Sequence, residues 1–483
     1  MCEKSCAECR KLHEECGVFG IARLSDDSVD VREETRYALY ALQHRGQESC
    51  GISVNDHGVI TTVKDVGLVP EVLCNDRLET LPDGQMAIGH VRYATTGSAN
   101  AINAQPIFIR HAKGTLSLAH NGNLTNAAAI RQEYQNQGIV FHTTNDTEVI
   151  AYTIAKERLT SSCIEEAVEK TMEKIVGAYS LVILSPRKLI AARDPMGFRP
   201  LVIGTLPGGG YVFASETCAL DAVGAKYLRD VKPGEIVEVI EGKLQTYKQG
   251  KDRAEGFCVF EFIYFARPDS VLEGQSVHRA RKLAGALLAK AHPVDADVVI
   301  GVPDSGLDAA QGYAAESGIP YGVGLLKNRY IGRTFIQPKQ SQRENSVKIK
   351  LNAISSTVKG KRVVMIDDSI VRGTTSQRIV KLLRDAGATE VHMRVTAPPF
   401  TNPCYFGTDV DSKENLIACR MSHEEIEKSI GVDSLGYLSV EDAKKLAPDS
   451  DCGFCVGCFT GEYPVDTSGV RHKDKFEEKL KKL

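Results

Sequence analysis

Short apolar or alternating runs, broken by clusters of Gly, Asn and Asp, dominate the first half of the chain. Residues 16–21, 51–54, 59–63, 85–90, 116–120, 179–184 and 235–240 carry this strand pattern. Two stretches with helical spacing interleave, at 32–42 and 147–157. Runs of strands with segregated helices predict an α+β layered domain over residues 16–250. The fifteen residues before it hold Cys2, Cys6 and Cys9 but no element pattern that could join a core. The polar stretch 241–256 reads as a boundary, and beyond it the pattern changes. A buried-strand run at 297–302 leads through Pro-Asp-Ser-Gly into an alanine-rich helix. A second run at 361–366 leads through a loop into a helix at 376–385, which Gly387 should terminate, and a strand returns at 390–395. Strand–helix–strand units of this kind build a parallel sheet, so residues 251–483 are expected to form an α/β domain.

The bulk properties narrow the class. At 483 residues the chain exceeds what one core usually serves. Its net charge of −3, with 25% charged residues, gives no basic excess for nucleic acid. No apolar run reaches the ~18 residues of a membrane span, and the N-terminus lacks the apolar core of a secretory signal. These features point to a cytoplasmic protein. Its fourteen cysteines are then better explained by metal binding or catalysis than by disulfides. Cys50, Cys74, Cys163, Cys218 and Cys419 stand singly and read as small core residues.

The most informative segment of the second half is VVMIDDSIVRGTTS, residues 363–376. A buried strand delivers Asp367 and Asp368 at its carboxyl end, where open α/β sheets bind ligands. Arg372, Gly373, Thr374, Thr375 and Ser376 follow and open a helix, whose free N–H groups suit a phosphate. Simple capping of that helix by Thr375 or Ser376 would not require two acids after a buried strand. GVPDSG, residues 301–306, is a second loop at a strand end, with Asp304 and Ser305. Between the two loops lies the long polar stretch 327–352, whose Lys327, Arg329, Arg333, Lys339 and Arg343 suit a pyrophosphate. A loop of that length is often a lid.

In the first half, ECGVFGI places Cys16 at the start of the first ordered strand. If the leader 1–15 is removed, the thiol and a free α-amine share one residue. An α-amine with pKa of ~7.7–8.0 can serve as the nucleophile's own base. In order after Cys16 come QHRGQESCGI (43–52), GHVRYATTG (89–97), AHNGNL (119–124) and TNDTEV (144–149). In the tail, CGFCVGC (452–458) carries two overlapping C-x-x-C spacings, a strong but incomplete metal signal that leaves zinc and iron–sulfur both open.

The four ordered motifs resemble class II glutamine amidotransferases of the N-terminal nucleophile superfamily. Residues 363–376 resemble the phosphoribosyl pyrophosphate signature of type I phosphoribosyltransferases. Together they resemble the glutamine phosphoribosylpyrophosphate amidotransferase family, iron–sulfur type with a pro-segment, over nearly the whole chain.

The resemblance implies an αββα sandwich of the N-terminal nucleophile hydrolase type followed by a type I phosphoribosyltransferase domain. It implies that Cys16 attacks glutamine, with Asn121 and Gly122 forming the oxyanion hole. Arg92 would hold the glutamine α-carboxylate and Asp146 its ammonium, with Arg45 ordering the glutamine site. Asp367 and Asp368 would contact ribose, and Arg372, Gly373, Thr374, Thr375 and Ser376 the 5-phosphate. Asp304, Ser305, Lys327 and Arg333 would face pyrophosphate, with Mg²⁺ near Ser305, Asp367 and Asp368.

It further implies a [4Fe–4S] cluster on Cys258, Cys404, Cys455 and Cys458, with Cys452 left out and the cluster structural rather than redox-active. A homotetramer inhibited by purine nucleotides is expected. The product would be 5-phosphoribosylamine, at the entry to purine synthesis. A hexosamine-forming relative is disfavoured by residues 363–376, and a catalytically silent nucleotide sensor by the intact Cys16, Arg92, Asn121 and Asp146.

Overall fold

The computed structural model describes residues 16–24, 29–93, 100–328, 351–408, 410 and 412–469. The first half folds as two stacked sheets with helices outside each. Strand Gly17–Arg23, wholly apolar on its buried length, lies inside a seven-stranded sheet between Met86–Arg92 and Gly210–Ala214. Strand Gly114–Leu124 pairs with Gly177–Leu184 in a six-stranded sheet. Val18, Ala22 and Ile88 of the first sheet pack on Ala119, Val182 and Leu184 of the second, filling the space between. Helix Val31–Ala41 covers the outer face of one sheet and helices Asp146–Glu157 and Ile164–Met172 that of the other. The αββα sandwich is therefore present.

Several strands are invisible to periodicity because they are short or buried on both faces, such as Lys188–Arg193 and Val202–Thr205. The polar stretch 241–256 is only partly a linker: Lys243–Lys248 is an edge strand of the six-stranded sheet. Its pairing with Ile236–Ile240 outweighs its polar composition, because an edge strand keeps one side in water.

The second half holds a parallel sheet in the order Val298–Gly301, Arg362–Asp367, Glu390–Val395, Ser434–Tyr437. Helix Thr374–Asp385 ends at Ala386 with Gly387 at φ +97° beyond it, the left-handed residue a helix stop requires. Helices Val277–Ala291 and Gly306–Ser317 cross at very short range. A Cβ on Gly285 would stand 1.8 Å from the Ala309 carbonyl oxygen, and one on Gly312 would stand 1.9 Å from that of Lys282.

The tail returns to the domain junction. Phe454–Cys455 pairs in parallel with Phe257–Cys258, and aromatic residues 257, 260, 262, 400, 454 and 459 pack around that pairing. The backbone approach at Gly285 leaves no room for a methyl group. Gly285→Ala should destabilise the second domain by roughly 1–3 kcal/mol, seen as a lower urea midpoint.

Candidate active sites and cysteine cavity

Cys16 lies at the head of its strand, 6% exposed, and its Sγ donates to the Tyr93 carbonyl at 3.5 Å. The paired neighbours Gly17 and Val91 set Cys16 and Arg92 at adjoining strand ends, and Arg92 is itself buried. The two sheets are stitched at this end by His90, whose Nε2 donates to the His120 carbonyl at 3.0 Å. Burial first, then the charge of Arg92, holds the His90 imidazole down to about 3 against the favourable bond to His120, so the ring is neutral.

Asn121 follows His120 directly. Its side-chain amide is fully buried, and neither its oxygen nor its nitrogen has a protein partner. A buried amide normally finds partners, so this one is free to donate to a ligand. Gly122 has φ +140°, and a Cβ there would stand 2.1 Å from the Ala178 carbonyl oxygen. Only glycine fits.

Asp146 opens helix Asp146–Glu157 and is buried. Its Oδ2 accepts from the Leu124 amide at 3.0 Å, and Oδ1 lies 3.6 Å from His120 Nδ1. Burial works to raise its carboxyl, but His120, the Leu124 amide and Arg92 together hold it below the ordinary range. It is an anion ready for a cation. Asn145, before it, caps the helix by accepting from the Thr147 amide at 3.0 Å.

Arg45 lies fully enclosed against the Cys16 main chain, with no exposed surface. Nε donates to the Cys16 carbonyl at 3.0 Å, Nη1 to Glu216 at 2.7 Å and Glu261 at 2.9 Å, and Nη2 to Glu261 at 2.7 Å. A buried cation has to be paired in this way. His44 and Ser270 also bond Glu216, at 2.8 and 2.7 Å. Burial raises the Glu216 carboxyl, and His44 and Arg45 more than reverse that, leaving it well below the usual range. Glu216 and Glu261 were missed in the sequence. The available signal was a single acid within an apolar or aromatic run, FASETCAL or FCVFEFIYF.

In the second half, Asp367, Asp368, Arg372, Gly373, Thr374, Thr375 and Ser376 line one pocket, joined by Tyr264 from the turn Glu261–Phe265. Gly373, at φ +80°, precedes the helix, and no side chain caps it. The first helical N–H groups are thus left for an anion. The helix begins at Thr374 rather than at Ser376. Ser305 Oγ donates to Asp368 Oδ1 at 2.6 Å, bringing the loop 301–306 to the acid pair, and Lys327 Nζ pairs with Asp304. Arg333 and the charges at 329, 339 and 343 lie outside the described residues, as do the leader cysteines.

Cys258, Cys404, Cys455 and Cys458 line a single cavity at the junction, with the aromatic residues Phe198, Phe260, Phe400, Phe406 and Tyr463 and with Arg199. Cys452 is not among its lining residues. Burial pushes the Cys458 thiol far up, and the nearby Cys404, Cys258 and Cys455 push it further. Among the described residues, no three or more His, Cys, Asp or Glu side chains are grouped to hold a metal ion. A single tetrahedral zinc would need its four sulfurs drawn to ~2.3 Å from one point.

A cysteine at a strand head in an αββα sandwich, joined to a phosphate loop on a parallel sheet, is the architecture of a glutamine amidotransferase fused to a phosphoribosyltransferase. Two family models match accordingly: a glutamine amidotransferase domain over residues 90–222 and a phosphoribosyl transferase domain over residues 269–433. Amidophosphoribosyltransferase of Bacillus subtilis is 48% identical over 95% of this chain and 96% of its own. That of Archaeoglobus fulgidus is 48% identical over 94% of this chain and 99% of its own. The solved B. subtilis glutamine phosphoribosylpyrophosphate amidotransferase, complexed with ADP and GMP, superimposes with a TM-score of 0.86 at 48% identity, covering 94% of this chain and 98% of that one. The chain belongs to the amidophosphoribosyltransferase family.

Because the Asn121 amide has no protein partner, its loss should harm a developing anion and little else. Asn121→Ala should lower kcat for glutamate release by about 10²–10³, with thermal stability near wild type.

Proposed function

We propose the following assignment of roles for the family's activity, glutamine-dependent amination of phosphoribosyl pyrophosphate in purine biosynthesis. Residues 1–15 are a pro-segment, 16–250 the glutaminase unit and 251–483 the phosphoribosyltransferase unit with its cysteine-bearing tail. Once the pro-segment is removed, the Cys16 α-amine takes the thiol proton. Sγ attacks the glutamine amide carbon, and the oxyanion is held by the Asn121 side chain and the Gly122 N–H. Arg92 holds the substrate carboxylate and Asp146 its ammonium. Collapse breaks the C–N bond as the α-ammonium returns its proton to the leaving nitrogen, which departs as ammonia, and water then cleaves the thioester to glutamate and the free thiol.

Ammonia passes internally to the second site, because water would protonate it and remove the lone pair that attacks. There its nitrogen bonds to the ribosyl C1 as the C1–O bond to pyrophosphate breaks. The amine sheds one proton to give 5-phosphoribosylamine. Asp367 and Asp368 receive the ribose hydroxyls, while Arg372, Gly373, Thr374, Thr375 and Ser376 receive the 5-phosphate. Asp304, Ser305, Lys327 and Arg333 face the pyrophosphate. A Mg²⁺ ion near Ser305, Asp367 and Asp368 suits their oxygen donors, and when bound it supplies charge neutralisation to the leaving group.

The four cavity cysteines suit a [4Fe–4S] cluster, since four thiolates are its donor set. There it would tie the tail to the junction. The solved relative's ADP and GMP support regulation by purine nucleotides here as well, and the homotetramer is proposed on the family resemblance alone. No helix among the described residues is long and apolar enough to cross a membrane, and the free thiols suit a reducing cytoplasm.

The observation that carries this reading is the presence in one chain of a buried cysteine at a strand head, Cys16, of a buried side-chain amide without a partner, Asn121, and of the phosphate pocket on the other sheet. The test is the intact mass and first residue of anaerobically purified protein, with iron and sulfide analysis. Active protein should begin at Cys16 and carry iron and sulfide in about equal amounts. Activity from a chain still starting at Met1, or zinc in place of iron, would overturn the corresponding assignment. Cys458→Ser should lose the iron together with stability, read as a lower unfolding temperature, because the cavity then lacks one donor.

A further inference from the structure

The carbonyl of Cys16 is held by a guanidinium that belongs to two domains at once. Arg45 Nε donates to it at 3.0 Å, and Arg45 itself is aimed by Glu216 of the first domain and Glu261 of the second. Glu261 is fully buried and grips Arg45 with both oxygens, at 2.7 and 2.9 Å, while Arg199 Nη1 stands 3.5 Å from it. A guanidinium is a rigid planar fork, so displacing one end turns the Nε–H at the other.

Glu261 is itself firmly placed. It opens a single π-helical turn, Glu261–Phe265, whose outgoing carbonyls are held by buried Arg281. Arg281 Nε donates to Phe262 at 3.0 Å, and Nη2 to Tyr264 and Ala266 at 2.8 and 2.7 Å. Single π-helical turns are frequent at functional sites. Burial raises the Glu261 carboxyl, but Arg45 and Arg199 bring it below the ordinary range despite Glu216 nearby, so the fork is charge-paired.

We propose that Glu261 is a positioning residue of the glutamine half-reaction: through Arg45 it sets the orientation of the Cys16 main chain, and with it the thiol and α-amine. The nucleophile is thereby aligned by the phosphoribosyltransferase domain rather than by its own domain alone. The inference rests on the role proposed for Cys16.

Glutamine-dependent and ammonia-dependent formation of phosphoribosylamine, measured on the full cluster-loaded enzyme, separate the two sites. Glu261→Gln should lower the glutamine-dependent kcat by about 10-fold or more, with ammonia-dependent turnover within about two-fold of wild type. Loss of one negative charge beside His44, Arg45, Arg199 and Glu216 leaves a net positive field near the α-amine, which disfavours its ammonium. The acid limb of the glutamine-dependent profile should therefore move to lower pH by roughly half a unit to one unit.

Glu261→Asp keeps the charge but shortens the arm. It should lower the glutamine-dependent kcat several-fold with no change in that profile, and it serves if the Gln variant does not fold. Wild-type kcat and pH profile in either variant would overturn the proposal. So would an equal loss of glutamine- and ammonia-dependent rates in both. Wild-type enzyme that uses ammonia but releases no glutamate would instead overturn the role of Cys16.

Discussion

The buried ion network of Arg45, Glu216, Glu261 and Arg199 is the constraint on which the two-domain arrangement depends. All four side chains are fully enclosed, so each charge must find its opposite inside the protein. Arg45 and Glu216 come from one domain and Glu261 from the other. Neither half can therefore bury its share without the other. Removing one partner would leave a charge uncompensated inside the closed junction, which costs about 3–5 kcal/mol. The network converts a hydrophobic contact between two units, which alone could slide, into one defined docking.

A second set of contacts works on the same junction from the tail. Arg199 donates to the Phe406 carbonyl at 2.7 Å, and Asn123, two residues past Asn121, donates to that of Tyr405 at 2.9 Å. Phe198 stacks on Phe406 at 4.3 Å between ring centres. The loop carrying Cys404 thus lies directly on the strand Gly114–Leu124, which carries Asn121 and Gly122. Cys258 is bonded through its amide to the Phe198 carbonyl at 3.1 Å and sits three residues before Glu261. The cysteine cavity and the ion network are consecutive stretches of one interface. What stabilises the cavity also stabilises the placement of the glutamine site, and the turn Glu261–Phe265 carries the continuity on to Tyr264 at the phosphate pocket.

The chemistry-bearing residues were legible because their patterns are local. Asp367 and Asp368 follow a buried strand directly, Gly373 to Ser376 open a helix directly, and the cysteines repeat at C-x-x-C spacing. A strand end, a helix start and a shared loop need only a few residues of context. Arg45 shows where that reasoning stops. Its motif marks it as part of a site, but the direction of its side chain depends on Glu216 and Glu261, some 170 and 216 residues away in sequence. The edge strand Lys243–Lys248 fails for a related reason: its polar composition reads as linker, and only its partner Ile236–Ile240 makes it a strand.

By itself the sequence determined the two fold classes, the head-of-strand position of Cys16, the phosphate loop and the four cysteines to be gathered. Each follows from hydrophobic period, turn chemistry or resemblance of contiguous motifs, which are properties of short segments. The tertiary structure alone decided that Asn121 is left without a partner, that Gly122 admits no side chain, and that Arg45 donates to the Cys16 carbonyl. Those facts depend on which polar groups meet inside a closed, low-dielectric interior. There an unpaired group is costly and a paired one is immobile, so partners brought from distant parts of the chain set the function of each side chain.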